Sequence, residues 1–337
     1  MILRTIFLYF ICLVIFSCNG QQNKTSYEKI SGYTQGTTYH ITYKSATNDD
    51  LQKLIEEKLI FFDKIFSIYD SSSMVSRINN NDTNVFINHF FYTLYKRSYD
   101  IYQSSSGLFD ITIGPLVNAW GFGITANKNP SKKSIDSLLQ FLGMDKIQIK
   151  NNKLIKSDKR IKLDFNAIAQ GYAVDFISKY LDSLNIDNYL VEIGGELYAK
   201  GVNDKNEKWK IGIEKPIEGN NEQGKYIQAV IEISNKAVST SGSYRKFYIE
   251  NGVKYSHTIN PKTGYPIKNT LLSVTIVAND CTTADGMATA CMVMGVDESI
   301  RFLSKYPDIS ALLIFNDSTG NYKEFYIGEM KKLLVAE

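Results

Sequence analysis

Between Tyr189 and Ala278 the sequence carries five strand-like segments in succession: Tyr189 to Ile193, Trp209 to Glu214, Ile227 to Ile233, Lys246 to Glu250 and Leu272 to Ala278. A sixth, Ala311 to Phe315, follows further on. That succession lacks the regular βαβ rhythm of a doubly wound parallel sheet and predicts an α+β fold, with central antiparallel-type sheets and flanking helices. An earlier strand is expected over Tyr39 to Lys44. After it, Leu51, Leu54, Ile55, Leu59, Phe62, Ile65 and Phe66 fall on one face of a helix that Asn48 could cap. Further helices are expected from about Phe90 to Tyr102 and from Ala167 to Leu184, and Thr282 to Ala290 also reads as helical. Glu218 to Gly224 suits a hairpin or loop insertion and is too short for a domain linker. One mixed domain over residues 27–337 is the most economical division.

The apolar run from Ile6 to Phe16, preceded by Arg4, is too short to span a bilayer comfortably and matches the core of a signal peptide over residues 1–17. It ends at Ser17-Cys18 and turns polar, like a lipoprotein signal whose mature chain starts at a lipidated Cys18, followed by a tether over residues 18–26. Phe16 is bulkier than the small residue usual two places before such a cysteine, so ordinary secretion or a retained anchor is the other reading. Each acyl chain would contribute about 0.8 kcal/mol per buried methylene, enough in combination to hold the protein at a membrane surface. With Cys12 in the signal, Cys281 and Cys291 remain, and flanking a helical stretch they read as buried thiols rather than as a disulfide. The 38 basic residues are interleaved with 35 acidic ones for a net charge of +3, which gives no stripe for nucleic acid. Tyr and Phe, at 22 and 18, suit an aromatic-rich core first and stacking surfaces second.

Five glycine-, hydroxyl- and carboxylate-rich segments carry chemistry that a plain core element would not need. Gly107 to Leu116, running on to Trp120-Gly121-Phe122-Gly123, could wrap a flat ligand or be a turn with buried aromatics. Leu163 to Tyr172 sits where a strand feeds a helix, a place where free backbone N–H groups receive an anion. Glu192-Ile193-Gly194-Gly195-Glu196 ends a strand with glycines that allow close approach to a ligand or make a tight turn. Ser239 to Arg245 offers hydroxyls and a guanidinium suited to phosphate or ribose oxygens. Ser256 to Gly264 sets His257 before a Pro/Gly turn, whereas His40 and His89 lack such neighbours and read as structural or exposed. Finally, Asp285 and Thr289 lie four apart, on one face of a helix, as oxygen donors for a hard cation. The plainer alternative has Asp285 capping the helix and Thr289 bonding back to a carbonyl.

Read in order, Gly-x-Phe-Asp-Ile-Thr from Gly107, Asp-x-x-Ala-x-Ala-x-Gly-Tyr from Asp164, Ile-Gly-Gly from Ile193, Thr-Ser-Gly-x-Tyr from Thr240, His-x-Ile-x-Pro-x-Thr-Gly from His257 and Ala-Asp-x-x-Ala-Thr from Ala284 resemble the ApbE family of flavin transferases. The resemblance covers roughly Gly32 to Gly295 and implies that family's fold, related to the T-fold. It implies transfer of FMN from the substrate FAD to a Thr or Ser hydroxyl of a target protein, releasing AMP. Mg²⁺ would be held by Asp285, Thr289 and the carbonyl of Ala167. Gly107, Leu108, Phe109, Asp110, Asp164, Gln170 and Ile259 would line the FAD site, with Gln35, Gly194, Gly195, Glu196, Ser241 and Gly242 around it. Tyr69 would lie near the isoalloxazine, with Ser73 and Met74 beside it in the cofactor site. Gln35, Gln170, Glu196 and Asn260 depart from the family's usual Met, charged residue, Asp and Asp. His257 is the candidate general base, since an unperturbed imidazole accepts a proton near neutral pH. The implied acceptors are membrane electron-transfer subunits and other exported flavoproteins, met by an enzyme lipid-anchored to the cell membrane and facing the periplasm. The same residues would also serve a pyrophosphatase cutting FAD to FMN and AMP, or a flavin-binding lipoprotein without chemistry.

Overall fold

The computed structural model describes residues 26–45, 50–124, 129–217, 224–243, 247–250 and 253–335. The signal segment, Cys18, most of the tether, Asn48, Tyr244 to Lys246 and most of the Glu218 to Gly224 insertion lie outside the described residues. The chain begins with β1 (Tyr27–Thr34), β2 (Thr37–Lys44), α1 (Leu51–Phe66), α2 (Met74–Asn79), α3 (His89–Ser104), α4 (Gly114–Ala119) and α5 (Lys132–Leu139). Then come β3 (Ile147–Lys150), β4 (Lys153–Lys156), α6 (Ala169–Ser183), β5 (Tyr189–Ile193), β6 (Glu196–Lys200), β7 (Trp209–Glu214), β8 (Ile227–Ile233) and β9 (Lys236–Gly242). The last third holds β10 (Phe247–Glu250), β11 (Val253–Ser256), β12 (Leu271–Ala278), α7 (Cys281–Met294), α8 (Val296–Leu303), β13 (Ser310–Asn316), β14 (Tyr322–Ile327) and α9 (Met330–Leu333).

Eight strands form one antiparallel sheet in the order β1-β2-β5-β6-β9-β12-β13-β14, and three two-stranded ribbons pair β3 with β4, β7 with β8 and β10 with β11. The α+β expectation therefore holds. Helices cover one face of the sheet and the β7–β8 ribbon with α9 covers the other, which explains the nearly unbroken apolar runs of β12 and β13. Val274, Ile276, Ala311 and Leu313 face α7 and α8, while Val277, Leu312 and Ile314 meet Trp209, Ile211 and Ile213 of the ribbon.

The helical face buries α1 through Leu51, Ile55, Leu59, Phe62, Ile65 and Phe66, while Leu54, at the edge of that stripe, is exposed. Asp50 caps α1 by accepting from the Lys53 N–H at 3.2 Å. Much of the Phe content is spent here: Phe66 stacks on Phe91 at 6.1 Å, and Phe165 meets both edge-on at 5.4 Å. Phe91 is fully buried. Phe91→Ala is expected to lower stability by about 3–5 kcal/mol, read from the urea midpoint, because a ring-sized hole opens between helices that cannot collapse independently.

Three elements differ from the sequence reading. α4 interrupts the supposed loop from Gly107 to Gly123, started by Pro115 in its first turn. α6 begins at Ala169 rather than Ala167, so the Ala167 carbonyl stays outside the helix. Ser239 to Gly242, not among the expected strands, belongs to β9; Ser239 is fully buried and Thr240 Oγ1 meets Thr275 Oγ1 across the strands at 2.9 Å.

Candidate active site

Two tight hairpins form the rim. Gln35 (φ 51°) and Gly36 (φ 74°) join β1 to β2, and Gly194 (φ 67°) and Gly195 (φ 108°) join β5 to β6, both two-residue loops with left-handed backbone at each position. Pairing of β2 with β5 brings them to the same end of the sheet, where the Gly194 N–H donates to the Thr38 carbonyl at 3.0 Å. A Cβ on Gly194 would lie 2.6 Å from Gln170 Nε2, so this turn is both strained and filled for any other residue. Gln35 Nε2 is buried with no hydrogen-bond partner among the described residues, a donor left over at the rim.

Beneath the rim opens a cavity of about 1300 Å³. It brings together Gln35, Tyr69, Leu108, Phe109, Asp110, Asp164, Ala167, Gln170, Gly194, Gly195, Glu196, Ser241, Gly242, His257, Ile259, Asp285 and Thr289 from segments spread over the whole chain. Three residues expected there lie behind its wall. Ser73 is fully buried and caps α2, donating to the Ser67 carbonyl at 2.6 Å and accepting from the Ser76 N–H at 3.1 Å, which pins the loop that carries Tyr69. Met74 packs against the helical core. Gly107 (φ 77°) closes α3, its N–H donating to the Tyr102 carbonyl at 2.7 Å. The sequence reading missed Asp63 of α1 and the run Lys210 to Glu214 of β7, which also line the cavity. Gly212, mid-strand among apolar neighbours, was the available signal, because glycine inside a strand often marks a close approach.

At the base, α6 and α7 cross at Gly171, where a Cβ would be 2.4 Å from the Cys281 carbonyl oxygen. The closeness lets the Gly171 N–H donate to Asp285 Oδ2 at 2.9 Å. The anion received at the start of α6 is thus the Asp285 carboxylate. Capping of α7 falls to Asp280, which accepts from the Thr283 N–H at 2.8 Å, so Asp285 is not the cap. One turn on, Thr289 Oγ1 lies 3.4 Å from the Ala167 carbonyl oxygen and 3.5 Å from Ser241 Oγ. Cys281 and Cys291 are buried free thiols on the same helix.

A carboxylate, a hydroxyl and a carbonyl therefore converge as hard oxygen donors. Among the described residues no group of three or more His, Cys, Asp or Glu could hold a metal. Magnesium suits such a set: one carboxylate with two neutral oxygens leaves positions for phosphate oxygens. Burial pushes Asp285 up to about 7, against the pull of the Gly171 N–H. A cation beside it would favour the ionised form.

The same burial raises Asp164 and takes Asp110 to about 6, although Thr112 donates to Asp110 from its N–H at 2.8 Å and from its hydroxyl at 2.6 Å. Burial and the Asp164 charge together raise the Tyr69 hydroxyl.

Half-buried Asp63 is pushed to about 6 by burial and by the charge of Asp70. Its folded pKa lies above the ordinary carboxylate value, so the folded state keeps a proton that the unfolded chain has lost, and stability falls as pH rises from about 4 to about 6. Asp63→Asn removes that slope. Melting temperatures of variant and wild type measured from pH 4 to 7 should diverge in the variant's favour across that window, and parallel curves would refute the assignment.

His257 follows β11 at the cavity wall, with the Phe122 ring edge-on at 6.4 Å. The turn after it is held by Asn260, whose side chain accepts from the Lys262 N–H at 2.8 Å, and by Trp120 Nε1, which donates to the Gly264 carbonyl at 2.8 Å. The Gly107 to Gly123 segment thus clamps the histidine segment with its aromatics and lines the cavity with Leu108 to Asp110 and Phe122. His40 and His89 are exposed and lie off the cavity.

The family model described as "ApbE family" matches residues 35–313. The chain is 35% identical over 313 residues to an FAD:protein FMN transferase of Haemophilus influenzae, covering 89% of each. It is 36% identical to one of Vibrio cholerae, covering 90% of this chain and 92% of the relative. Among solved structures, the flavin transferase ApbE from Vibrio cholerae superposes with a TM-score of 0.82 at 35% identity, covering 92% of this chain and 99% of that one. An ApbE protein from Thermotoga maritima does so at 0.79 and 28% identity, covering 93% and 100%.

Proposed function

The chain belongs to the ApbE family, and we propose on that footing that it transfers the FMN half of FAD to a Thr or Ser hydroxyl of an acceptor protein, with Mg²⁺ bound and AMP released. The activity is that of a flavin transferase with FAD as substrate and a protein as acceptor. The observation that carries the chemistry is the oxygen set of Asp285, Thr289 and Ala167 in one cavity with His257. Mg²⁺ in that set would neutralise the charge that builds on the pyrophosphate oxygens.

The protein's own residues account for the rest. The Gly171 N–H holds one oxygen of Asp285 and leaves the other for the cation. His257 takes the proton of the acceptor hydroxyl as its oxygen bonds to the FMN-side phosphorus. The bond from that phosphorus to the bridging oxygen breaks, and AMP leaves with the bridging oxygen and its electron pair. Tyr69, exposed at the cavity edge, would stack on the isoalloxazine. Gln35, Asp110, Asp164, Gln170 and Ile259 would surround the remainder of FAD.

The amino-terminal signal supports a lipid anchor on Cys18 with the catalytic domain facing the periplasm, and the family resemblance supports membrane electron-transfer subunits as acceptors. Cys18→Ser is expected to abolish metabolic labelling of the protein with palmitate, and unchanged labelling would remove the Cys18 anchor from this picture.

The transfer itself is tested by incubating the protein from Asn19 onward with FAD, magnesium and a candidate acceptor. The expected result is a covalently fluorescent acceptor band, with AMP released, that disappears with EDTA. FMN and AMP without any band would favour the pyrophosphatase, and intact FAD would favour a flavin-binding protein.

A further inference from the structure

We propose that the open edge of β7 is the acceptor dock, where an extended segment carrying the reactive hydroxyl adds as a third strand to the β7–β8 ribbon. This rests on the transfer reading and names how the acceptor is held. β7 pairs on one side only, with β8, from Trp209 opposite Ile233 to Ile213 opposite Ala229. Among the described residues no strand pairs with its other side. The outer edge of β8, by contrast, is covered by the chain itself: Ile231 bridges Leu334, and the Val335 N–H donates to the Val230 carbonyl at 2.9 Å.

The cavity runs along the open edge. Five successive residues, Lys210 to Glu214, line it. Successive strand side chains point to opposite faces, and Ile211 and Ile213 are packed against the large sheet. A space touched by all five must therefore lie beside the strand rather than above it. Along such an edge every second residue turns its N–H and C=O outward, the array an extended peptide completes.

A hydroxyl on a docked strand would enter the same cavity that His257 and Asp285 line. Among the described residues the outer strands of the large sheet, β1 and β14, also have one open side. The cavity reaches only Tyr33 and Thr34 at the end of β1, and nothing of β14.

The test uses a ten-residue Ala/Gln peptide with one central Thr, and two versions N-methylated at alternate backbone amides in the two possible registers. FMN transfer is measured by mass spectrometry, with FAD cleavage by water followed in parallel. A docked strand turns one alternate set of N–H groups to β7 and the other away. One register should therefore lower kcat/KM for transfer about tenfold or more while the other leaves it nearly unchanged, and FAD cleavage by water should be unaffected by either. Equal tolerance or equal loss in both registers would overturn the dock. So would labelling of the ten residues only when they are built into a folded protein, because recognition would then need the acceptor's fold. Absence of transfer to any peptide or protein would instead count against the transfer reading itself.

Discussion

Asp285→Ala is expected to lower FMN transfer by about a thousandfold or more, since it removes the only carboxylate among the three converging oxygens and with it several kcal/mol of charge stabilisation. The substitution also strands the Gly171 N–H at the start of α6, so folding must be separated from chemistry. Asp285→Asn does that, because its amide oxygen can still accept from Gly171 while the charge is gone. Both variants should show in-gel fluorescence near background. The Asn form should melt close to wild type, and substantial transfer by it would rule out a charged cation ligand at this position.

His257→Ala should lower transfer by about 10²–10⁴-fold while FAD affinity changes little, because the imidazole is assigned to the acceptor's proton rather than to the cofactor. Flavin fluorescence titration gives the affinity, and single-turnover labelling gives the rate. A variant that lost FAD binding in proportion to transfer would make His257 part of the FAD site instead.

How much of this was legible from the sequence depended on whether a side-chain pattern was local. Trp209 to Glu214 and Ile227 to Ile233 were bounded as found, the first because it alternates between the sheet-facing core and the outside, the second because it is rich in β-branched residues and alternates from Ile231 to Ile233. β9 was missed as a strand, since Ala237 to Gly242 holds small and hydroxylated residues typical of loops. Its strand character comes from β6 and β12 on either side, and its small side chains let α7 pack closely over it. The ordered motifs identified most of the cavity wall. They could not distinguish Asp285 as cap from Asp285 as ligand, because that turns on which carboxylate, Asp280 or Asp285, sits at the helix start and which reaches Gly171. Asp63 was hidden among charged residues of an ordinary amphipathic helix, and the placement of β7 against the cavity depends on a ribbon folding over the far face of the sheet.

The crossing of α6 and α7 joins residues 114 positions apart at Gly171 and Asp285, and 122 apart at Ala167 and Thr289. No contiguous fragment that stops before α7 can bring these three oxygens together, however well its motifs survive. During synthesis the chain already holds the rim turns, Tyr69, Asp164 and His257 while its last two oxygen donors are still unmade. A nascent or truncated protein could therefore shape part of the cavity without the oxygen donors of α7, and on the proposed mechanism chemistry begins only when the carboxy-terminal sixth of the chain arrives.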